Sequence, residues 1–573
     1  MSNKKHRFVF WLIALLLPVL FFSCLEGGLR LFSYGRDVPL FIANPANSHY
    51  LLPRPDIVSR YFAKDADLPS VTMEANFLLK TKPSNGYRIF VQGGSSAAGF
   101  PYGLGASLAG MLDKRLRMSM PQHYVEVVNT AMAAVNSYTV LDLADEIITQ
   151  QPDAVLIYMG HNEYLGILGV GSNYTAANSQ ASTLLFLKLR SLRTFQLIQN
   201  SYAGLSNDKP EVTQDFSSSR TFMAKVAKHK DIAMDSPLYK AGLSQFETNL
   251  HLLLDKYKAA NIPVYLATIA SNIRDHKPFL SAPIPSDIAA DLAQVKQLIQ
   301  SQQSTQALAL AKQLSPKISQ QQNALAHFNL AHNYLELNDL TQATQHFILA
   351  KDLDLLRFRA PSAINQLIKQ VASRYDNVLL VDVEQQFSKH SPQGLIGNNL
   401  MLEHLHPNVQ GYFLLADSFY NAFAQHANIT QWQTQLINEA WQQRPLLPSE
   451  EYNGFAKVQQ LMNDYPFIQH TSEVKPLRLP TPADWQQELG KAHFLKQIDW
   501  LTMMQQALSQ YQAQNDQPMS LKTATILADA LPHEPKINAY VAQAYQRLQH
   551  KHVADYYKQR SILANKQQKQ VND

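Results

Sequence analysis

Short apolar runs alternate with amphipathic segments along most of the chain. Runs bounded by turn-forming residues predict five buried strands, at residues 87–92, 124–129, 154–159, 263–269 and 378–382. Segments with apolar residues three and four positions apart predict helices at residues 104–118, 140–150, 243–260, 364–375 and 409–423. Such alternation predicts an α/β fold, with a mostly parallel sheet between two layers of helices. Ligands of these sheets bind beyond the carboxyl ends of the strands.

Two long insertions interrupt the alternating pattern. The first, at about 166–240, contains the basic amphipathic stretch 184–190, which suits a lid, a membrane-surface helix or ordinary packing on the sheet. The second, at 285–356, has small and large residues spaced as in a tetratricopeptide repeat, which is a pair of packed helices. These residues are Leu330, Ala331, Tyr334, Ala343, Phe347 and Ala350. One clear repeat is too few for an independent solenoid, so we expect the insertion to pack on other parts of the chain.

Residues 431–573 again have a helical pattern. Thr481 followed by Pro482 predicts a helix start, with threonine as the cap and proline at the first helical position. Weak repeat spacing recurs at Ala542, Tyr545 and Ala554. Two interpretations stay open for this region: a platform that binds a protein partner, and a bracket that stabilises the fold.

The N-terminal residues predict a membrane anchor. Lys4, Lys5 and Arg7 precede residues 8–25, a stretch without a charged side chain that is about long enough to span a bilayer. We expect residues 1–30 to form a cytoplasmic stub and a single-pass anchor in the inner membrane, with the bulk of the chain in the periplasm or outside the cell. The bulky residues before Cys24 disfavour a cleavable signal peptide, although lipidation of Cys24 after processing is an alternative.

Composition narrows the range of partners and sites. A formal net charge of +5 is spread over 573 residues without a basic stripe, so nucleic acid is not an expected partner. The single cysteine excludes an internal disulfide and any site with several cysteine ligands.

Three polar clusters follow predicted strands or precede the last predicted helix, at residues 93–99, 160–163 and 403–408. A serine hydroxyl becomes a strong nucleophile when a histidine accepts its proton and a carboxylate orients that histidine. Ser95, His406 and Glu403 can fill these three roles.

The same clusters offer groups that could stabilise or bind a substrate. An oxyanion can be stabilised by the backbone N–H groups of Ser95 and Ala134 and by the side-chain amide of Asn162. Asn272 either contacts substrate or caps a turn, and Arg274 is a candidate partner for an anionic group. His404 lies beside His406, but we expect no metal site, and the mechanism needs no cofactor.

These residues resemble the blocks of the SGNH/GDSL hydrolase superfamily. The matching segments are Gly93-Gly94-Ser95-Ser96, Ala134 in the loop after the second strand, Gly160-His161-Asn162-Glu163, and Glu403 with His406. The likeness covers residues 85–270 and 360–425. It implies a flavodoxin-like, three-layer hydrolase domain within residues 50–430, interrupted by the insertion at 285–356.

The resemblance also implies roles for individual residues. Ser95 would be the nucleophile, Asn162 would lie in the oxyanion hole, and Glu403 with His406 would complete the triad. Three positions depart from the family pattern: Gly94 stands where an acid is usual, Ala134 where glycine is usual, and Glu403 where aspartate is usual. The anchor and the helical insertion look like those of a membrane-anchored bacterial subgroup.

Three functions compete at this point. The leading hypothesis is a serine esterase or deacylase that removes acyl groups such as acetyl from an envelope carbohydrate or lipid through an acyl-serine intermediate. The same triad could instead transfer the acyl group to a sugar hydroxyl. The third hypothesis is an inactive periplasmic scaffold whose helical repeats bind a protein partner.

Overall fold

A computed structural model describes residues 2–64, 68, 69, 71–173, 179–205, 223, 231–427, 429–468 and 477–572. Its strands are β1 Phe41–Asn44, β2 Asn47–Pro53, β3 Leu78–Leu79, β4 Gly86–Gly93, β5 Tyr124–Asn129, β6 Ala154–Tyr158, β7 Val264–Ala267 and β8 Val378–Val381. The helices of the first half are α1 Ser2–Leu31, α2 Ser95–Ala98, α3 Leu108–Ser119, α4 Ser137–Ile148, α5 Gln180–Leu189, α6 Arg193–Leu205 and α7 Pro237–Ala259. They are followed by α8 Ser286–Gln300, α9 Ser304–Gln321, α10 Ala324–Glu336, α11 Leu340–Asp352, α12 Ser362–Ala372, α13 Val383–Lys389 and α14 Val409–His426. The last are α15 Ile437–Gln442, α16 Pro448–Met462, α17 Trp485–Phe494, α18 Trp500–Ala513, α19 Gln517–Ala530, α20 Pro535–Arg547 and α21 Lys551–Asn572.

The central sheet contains the five strands predicted from the apolar runs. They are all parallel and lie in the order β5-β4-β6-β7-β8, which is 2-1-3-4-5 when these strands are counted along the chain. That order is the flavodoxin-like one, in which the first strand lies inside the sheet and the ligand site forms at its carboxyl end. The inner strands β4, β6 and β7 are largely buried on both faces, which explains why their sequences are mostly apolar runs without alternation.

Helices cover the sheet on both faces. One layer is formed by α4, α7 and α12: α7 contacts both other helices, α4 contacts β4, and α12 contacts β7 and β8. The other layer contains α3 and α14, which pack together against β5 and β8. The predicted α/β architecture is therefore confirmed.

The helices of the second insertion have an apolar core of their own. All six residues that suggested a repeat are buried, and α10 packs against α11 as a helix pair. Leu395, from the loop after α13, is buried in the same core, so the insertion also contacts the sheet domain. Its assignment as a tetratricopeptide repeat stays a prediction.

The C-terminal helices cover the open edge of the central sheet at β5. Tyr556 stacks on Tyr124 with ring centroids 5.1 Å apart, and its hydroxyl donates to the carbonyl oxygen of Val125 at 3.2 Å. A covered edge strand cannot pair with another chain. One detail of the sequence interpretation was wrong: α17 begins at Trp485 with Asp484 as its cap, and not at Thr481 and Pro482, because the Asp484 carboxylate accepts the N–H of Gln487 at 2.9 Å.

The N-terminal helix α1 includes the segment Phe10–Leu31, which is long and apolar enough to cross a membrane and is not buried against the protein. It is the one helix with these properties among the residues that the structure describes. A signal sequence shares the same properties, so membrane anchoring and its topology belong with the proposals below.

Candidate active site

The candidate catalytic residues lie at the carboxyl edge of the parallel sheet. Ser95 follows β4 directly as the first residue of α2, Asn162 follows β6, and His406 lies in the loop before α14. Gly93 permits the tight exit from β4, since a Cβ there would come within 2.1 Å of the carbonyl oxygen of Tyr158 on β6. The fold thus brings together residues that are separated by more than three hundred positions.

Ser95 and His406 are in direct contact. The distance from the Ser95 Oγ to the His406 Nε2 is 2.8 Å, within the range for a nucleophile and its base. His406 is buried, whereas Ser95 is partly exposed and so can meet a substrate. The neighbouring Ser96 donates to the carbonyl oxygen of Leu405 at 3.3 Å, which ties the serine turn to the histidine loop.

Glu403 contacts His406 at the ring nitrogen that does not contact Ser95. Its carboxylate contacts the Nδ1 of His406 and accepts the backbone N–H groups of Leu405 at 3.2 Å and His406 at 3.1 Å. Burial opposes ionisation, yet the two neighbouring histidine rings hold the pKa of Glu403 well below its ordinary value. A carboxylate on Nδ1 fixes the proton there and leaves Nε2 free to accept the Ser95 proton. Ser95, His406 and Glu403 therefore form a chain of contacts from hydroxyl to imidazole to carboxylate.

The extra methylene of glutamate has a structural use here. The Glu403 side chain folds back toward its own loop. Its oxygens accept the backbone N–H groups of the three following residues and also contact the two histidine rings. Glutamate in place of the usual aspartate is therefore compatible with direct support of His406.

His404 holds the second oxygen of the Glu403 carboxylate through its own Nδ1. Its ring lies among aromatic side chains, with centroid distances of 5.0 Å to Phe279 and 5.4 Å to Phe467. Burial lowers the pKa of His404, which favours a neutral ring that donates to the carboxylate. Glu403, His404 and His406 offer potential metal-ligand atoms within 4.8 Å of one another, but the hydrogen bonds with the carboxylate already occupy both Nδ1 atoms.

The amide of Asn162 lies beside Gly94, the residue that precedes Ser95. A Cβ built on Gly94 would lie 2.8 Å from the amide nitrogen of Asn162 and 3.9 Å from the carbonyl oxygen of Val135, next to Ala134. The described residues give the Asn162 side chain no hydrogen-bond partner, and the N–H of Ser95 has no acceptor within its helix because it is the first residue. Such unpaired donors beside the nucleophile suit an oxyanion hole.

Ala134 has a backbone φ of 65°, in the left-handed region that favours glycine. Glycine adopts such a φ more readily than alanine does. The Ala134 carbonyl oxygen accepts the N–H of Ile167 at 2.8 Å, which holds the loop at this residue.

We predict that Gly94→Ala lowers kcat for ester hydrolysis about 10- to 100-fold, because the new methyl group displaces the Asn162 amide from the oxyanion site. The atom it meets is the end of a flexible side chain, so folding should be little affected. Steady-state kinetics and a thermal melt of the same preparation check both parts. If kcat stays unchanged while the protein remains folded, Asn162 does not act from this position.

Asn272 and Arg274 contact other protein groups in this structure. Asn272 is buried, and its amide donates to the carbonyl oxygen of Glu403 at 3.0 Å and to Asn398 at 2.8 Å. Arg274 pairs with the carboxylate of Asp275 at 2.8 and 2.9 Å. The Asn272 contact braces the loop that carries Glu403, and substrate binding by either residue stays a prediction.

Buried neighbours hold the loop that carries Asn162. His161 contacts the carbonyl oxygen of Ala270 through Nε2 and accepts the N–H of Ala360 at Nδ1, and burial lowers its pKa to about 3, so the ring is neutral. Glu163 accepts the Ser137 hydroxyl at 2.8 Å and the Ser137 N–H at 3.1 Å. Burial raises the pKa of Glu163 to about 7.

Sequence reasoning missed Phe100, whose ring lies 4.6 Å from the ring of His406, centroid to centroid. The Phe100 carbonyl oxygen accepts the hydroxyl of Tyr412, on α14, at 2.6 Å. Phe100 therefore restricts the orientation of the histidine ring by direct contact. An aromatic residue five positions after a serine carries no sequence signal for this contact.

Comparisons with known proteins give little support for any function from sequence. No family model and no curated protein matches the chain. Two solved structures are similar in part. One is an acetyl xylan esterase, with 11% identity and a TM-score of 0.27, covering 58% of this chain and 98% of the other. The other is the psychrotrophic esterase EstA from Pseudoalteromonas sp., with 13% identity and a TM-score of 0.26, covering 60% of this chain and 98% of the other. The likeness is too weak to identify the function, which must be argued from the site.

Proposed function

We propose that this protein is a membrane-anchored serine hydrolase of the SGNH type that removes ester-linked acyl groups, such as acetyl, from an envelope carbohydrate or lipid. The observation that carries the proposal is the contact of Ser95 with His406, combined with the contact of His406 with Glu403. The flavodoxin-like strand order and the unpaired amide of Asn162 support it.

The reaction follows from the positions of these groups. The Ser95 Oγ attacks the ester carbonyl carbon while its proton passes to the Nε2 of His406, and Glu403 stabilises the resulting imidazolium. The N–H groups of Ser95 and Ala134 and the amide of Asn162 stabilise the oxyanion. Collapse of the tetrahedral intermediate breaks the ester bond, and the alcohol leaves with the proton from His406. Water then attacks the acyl-serine with His406 as base, releasing the carboxylic acid and restoring Ser95.

An inactive scaffold is disfavoured by the same contacts. A protein that had lost its activity would have no reason to keep a nucleophile, a base and a buried carboxylate aligned at hydrogen-bonding distance. Membrane anchoring is supported by the unburied apolar segment Phe10–Leu31 and by the basic residues before it.

The test uses the purified full chain in detergent with p-nitrophenyl esters of increasing acyl length and with an acetylated oligosaccharide. We expect steady release of nitrophenol and complete inhibition by a fluorophosphonate that becomes attached to the peptide containing Ser95. Recovery of the acyl group on an added sugar, with little free acid, would instead establish an acyltransferase. Absence of both turnover and labelling would support the scaffold hypothesis.

A further inference from the structure

Helices α5 and α6 are consecutive along the chain with three residues between them, and we call the pair the hairpin. The start of α6 is hydrogen-bonded to the end of the N-terminal helix. The Glu26 side chain on α1 accepts the backbone N–H groups of Arg193 at 3.0 Å and Thr194 at 2.8 Å, and also the Thr194 hydroxyl at 3.0 Å. A carboxylate from the proposed anchor therefore caps the first turn of α6.

Further hydrogen bonds continue along α6. The Gln196 amide accepts the N–H of Arg36 at 2.9 Å and donates to the carbonyl oxygen of Arg36 at 3.1 Å, while Asn200 donates to the Tyr34 hydroxyl at 3.3 Å. Since the apolar segment of α1 ends at Leu31, these contacts place α6 beside the point where the chain would leave the membrane.

The hairpin has two different faces. Phe186 is buried in the main core and contacts Phe195 with ring centroids 5.9 Å apart. On other sides, Leu185, Ile198 and Tyr202 are 53%, 58% and 74% exposed. Exposed apolar side chains of this size are unfavourable in water and become favourable when they enter the acyl boundary of a bilayer.

The side of α6 that faces the end of α1 carries charged groups. An open groove of about 1190 Å³ between the end of α1 and α6 is lined by apolar Leu29 and Phe32 and by cationic Arg36 and Lys64. Arg190 also lines it but is paired with Asp142 at 2.7 Å. Asp37 and Glu146 also line it, but Glu146 is paired with Arg60. Apolar groups next to cations match the chemistry of a phosphate headgroup and the start of its acyl chains.

We propose that the hairpin Gln180–Leu205 lies in the headgroup region of the membrane that α1 enters, with lipid as the partner of its exposed apolar side chains. The inference rests on the proposed anchoring of α1. Its consequence is that the hydrolase domain is held on the bilayer by a second contact, in a fixed orientation, and does not swing on a flexible tether.

The test exploits the single native cysteine. In a Cys24→Ser background, one cysteine is introduced at Ile198, at Tyr202 or, as a control of similar exposure in the C-terminal helices, at Leu548, which is 56% exposed. Each variant carries an environment-sensitive NBD fluorophore and is reconstituted in phosphatidylethanolamine–phosphatidylglycerol vesicles. We expect a blue shift and quenching by doxyl lipids at 198 and 202, and quenching by aqueous iodide at 548.

The outcomes distinguish the two proposals. Retention on the vesicles after an alkaline carbonate wash reports insertion of α1 by itself. If the protein is retained but the probes at 198 and 202 show the water-exposed emission of the probe at 548, the hairpin proposal is wrong and the anchor stands. If the protein washes off and all three probes are aqueous, the anchor and the inference that rests on it are both overturned.

Discussion

Replacing Ser95 by alanine should lower kcat/KM for ester hydrolysis by at least about 1,000-fold, because the only hydroxyl in contact with His406 among the described residues is removed. The remaining oxyanion donors would still bind substrate but could not form an acyl intermediate. Labelling by the fluorophosphonate should disappear together with turnover. The alanine fits the space of the serine, so the melting temperature should stay close to that of the wild type.

Ser96 provides a matched control. It is the next residue, it is buried, and its hydroxyl makes one long hydrogen bond to the Leu405 carbonyl oxygen at 3.3 Å. Ser96→Ala should therefore keep its activity within about fivefold of wild type and its labelling intact, since a neutral hydrogen bond contributes about 1 kcal/mol. Equal rates for Ser95→Ala and wild type would remove Ser95 from the mechanism.

The sheet could be predicted from sequence because each of its strands is an apolar run that ends in turn-forming residues. The end of β4 at Gly93 and the end of β6 at Tyr158 lie within one residue of the predicted ends. Parallel strands share a carboxyl edge, so the polar residues that follow them were expected to converge, and Ser95 and His406 do lie in contact.

The remaining features depend on tertiary contacts that leave no local pattern. Phe100 contacts the His406 ring only because of the path that the loop after α2 takes. Asn272 donates a hydrogen bond to the backbone of Glu403 because of the conformation of its own loop, which the sequence does not predict. The start of α17 was misplaced because Thr481 and Asp484 are both good caps, and the choice between them depends on which one reaches an N–H group three residues on.

Replacing Glu403 by glutamine should lower kcat by about 100- to 10,000-fold with a much smaller change in KM, because the carboxylate acts on the imidazolium that forms in the transition state. Glutamine has nearly the same shape but carries an NH₂ group, which cannot accept a proton from an imidazole nitrogen. The amide oxygen can satisfy only one of the two histidines that now share the carboxylate. His406 would then be free to adopt the wrong tautomer or to turn away from Ser95.

Glu403→Asp separates the effect of the carboxylate charge from the effect of side-chain length. Aspartate keeps the charge but is one methylene shorter, so it cannot contact both histidine rings and the backbone N–H groups of Leu405 and His406 at once. We expect an intermediate loss of kcat, with the melting temperature lowered in both variants because buried donors lose their acceptor. Thermal melts show whether each variant is folded under the assay conditions. If Glu403→Gln is folded and retains wild-type kcat, the orienting acceptor of His406 is another group, and the direct contact seen here is structural.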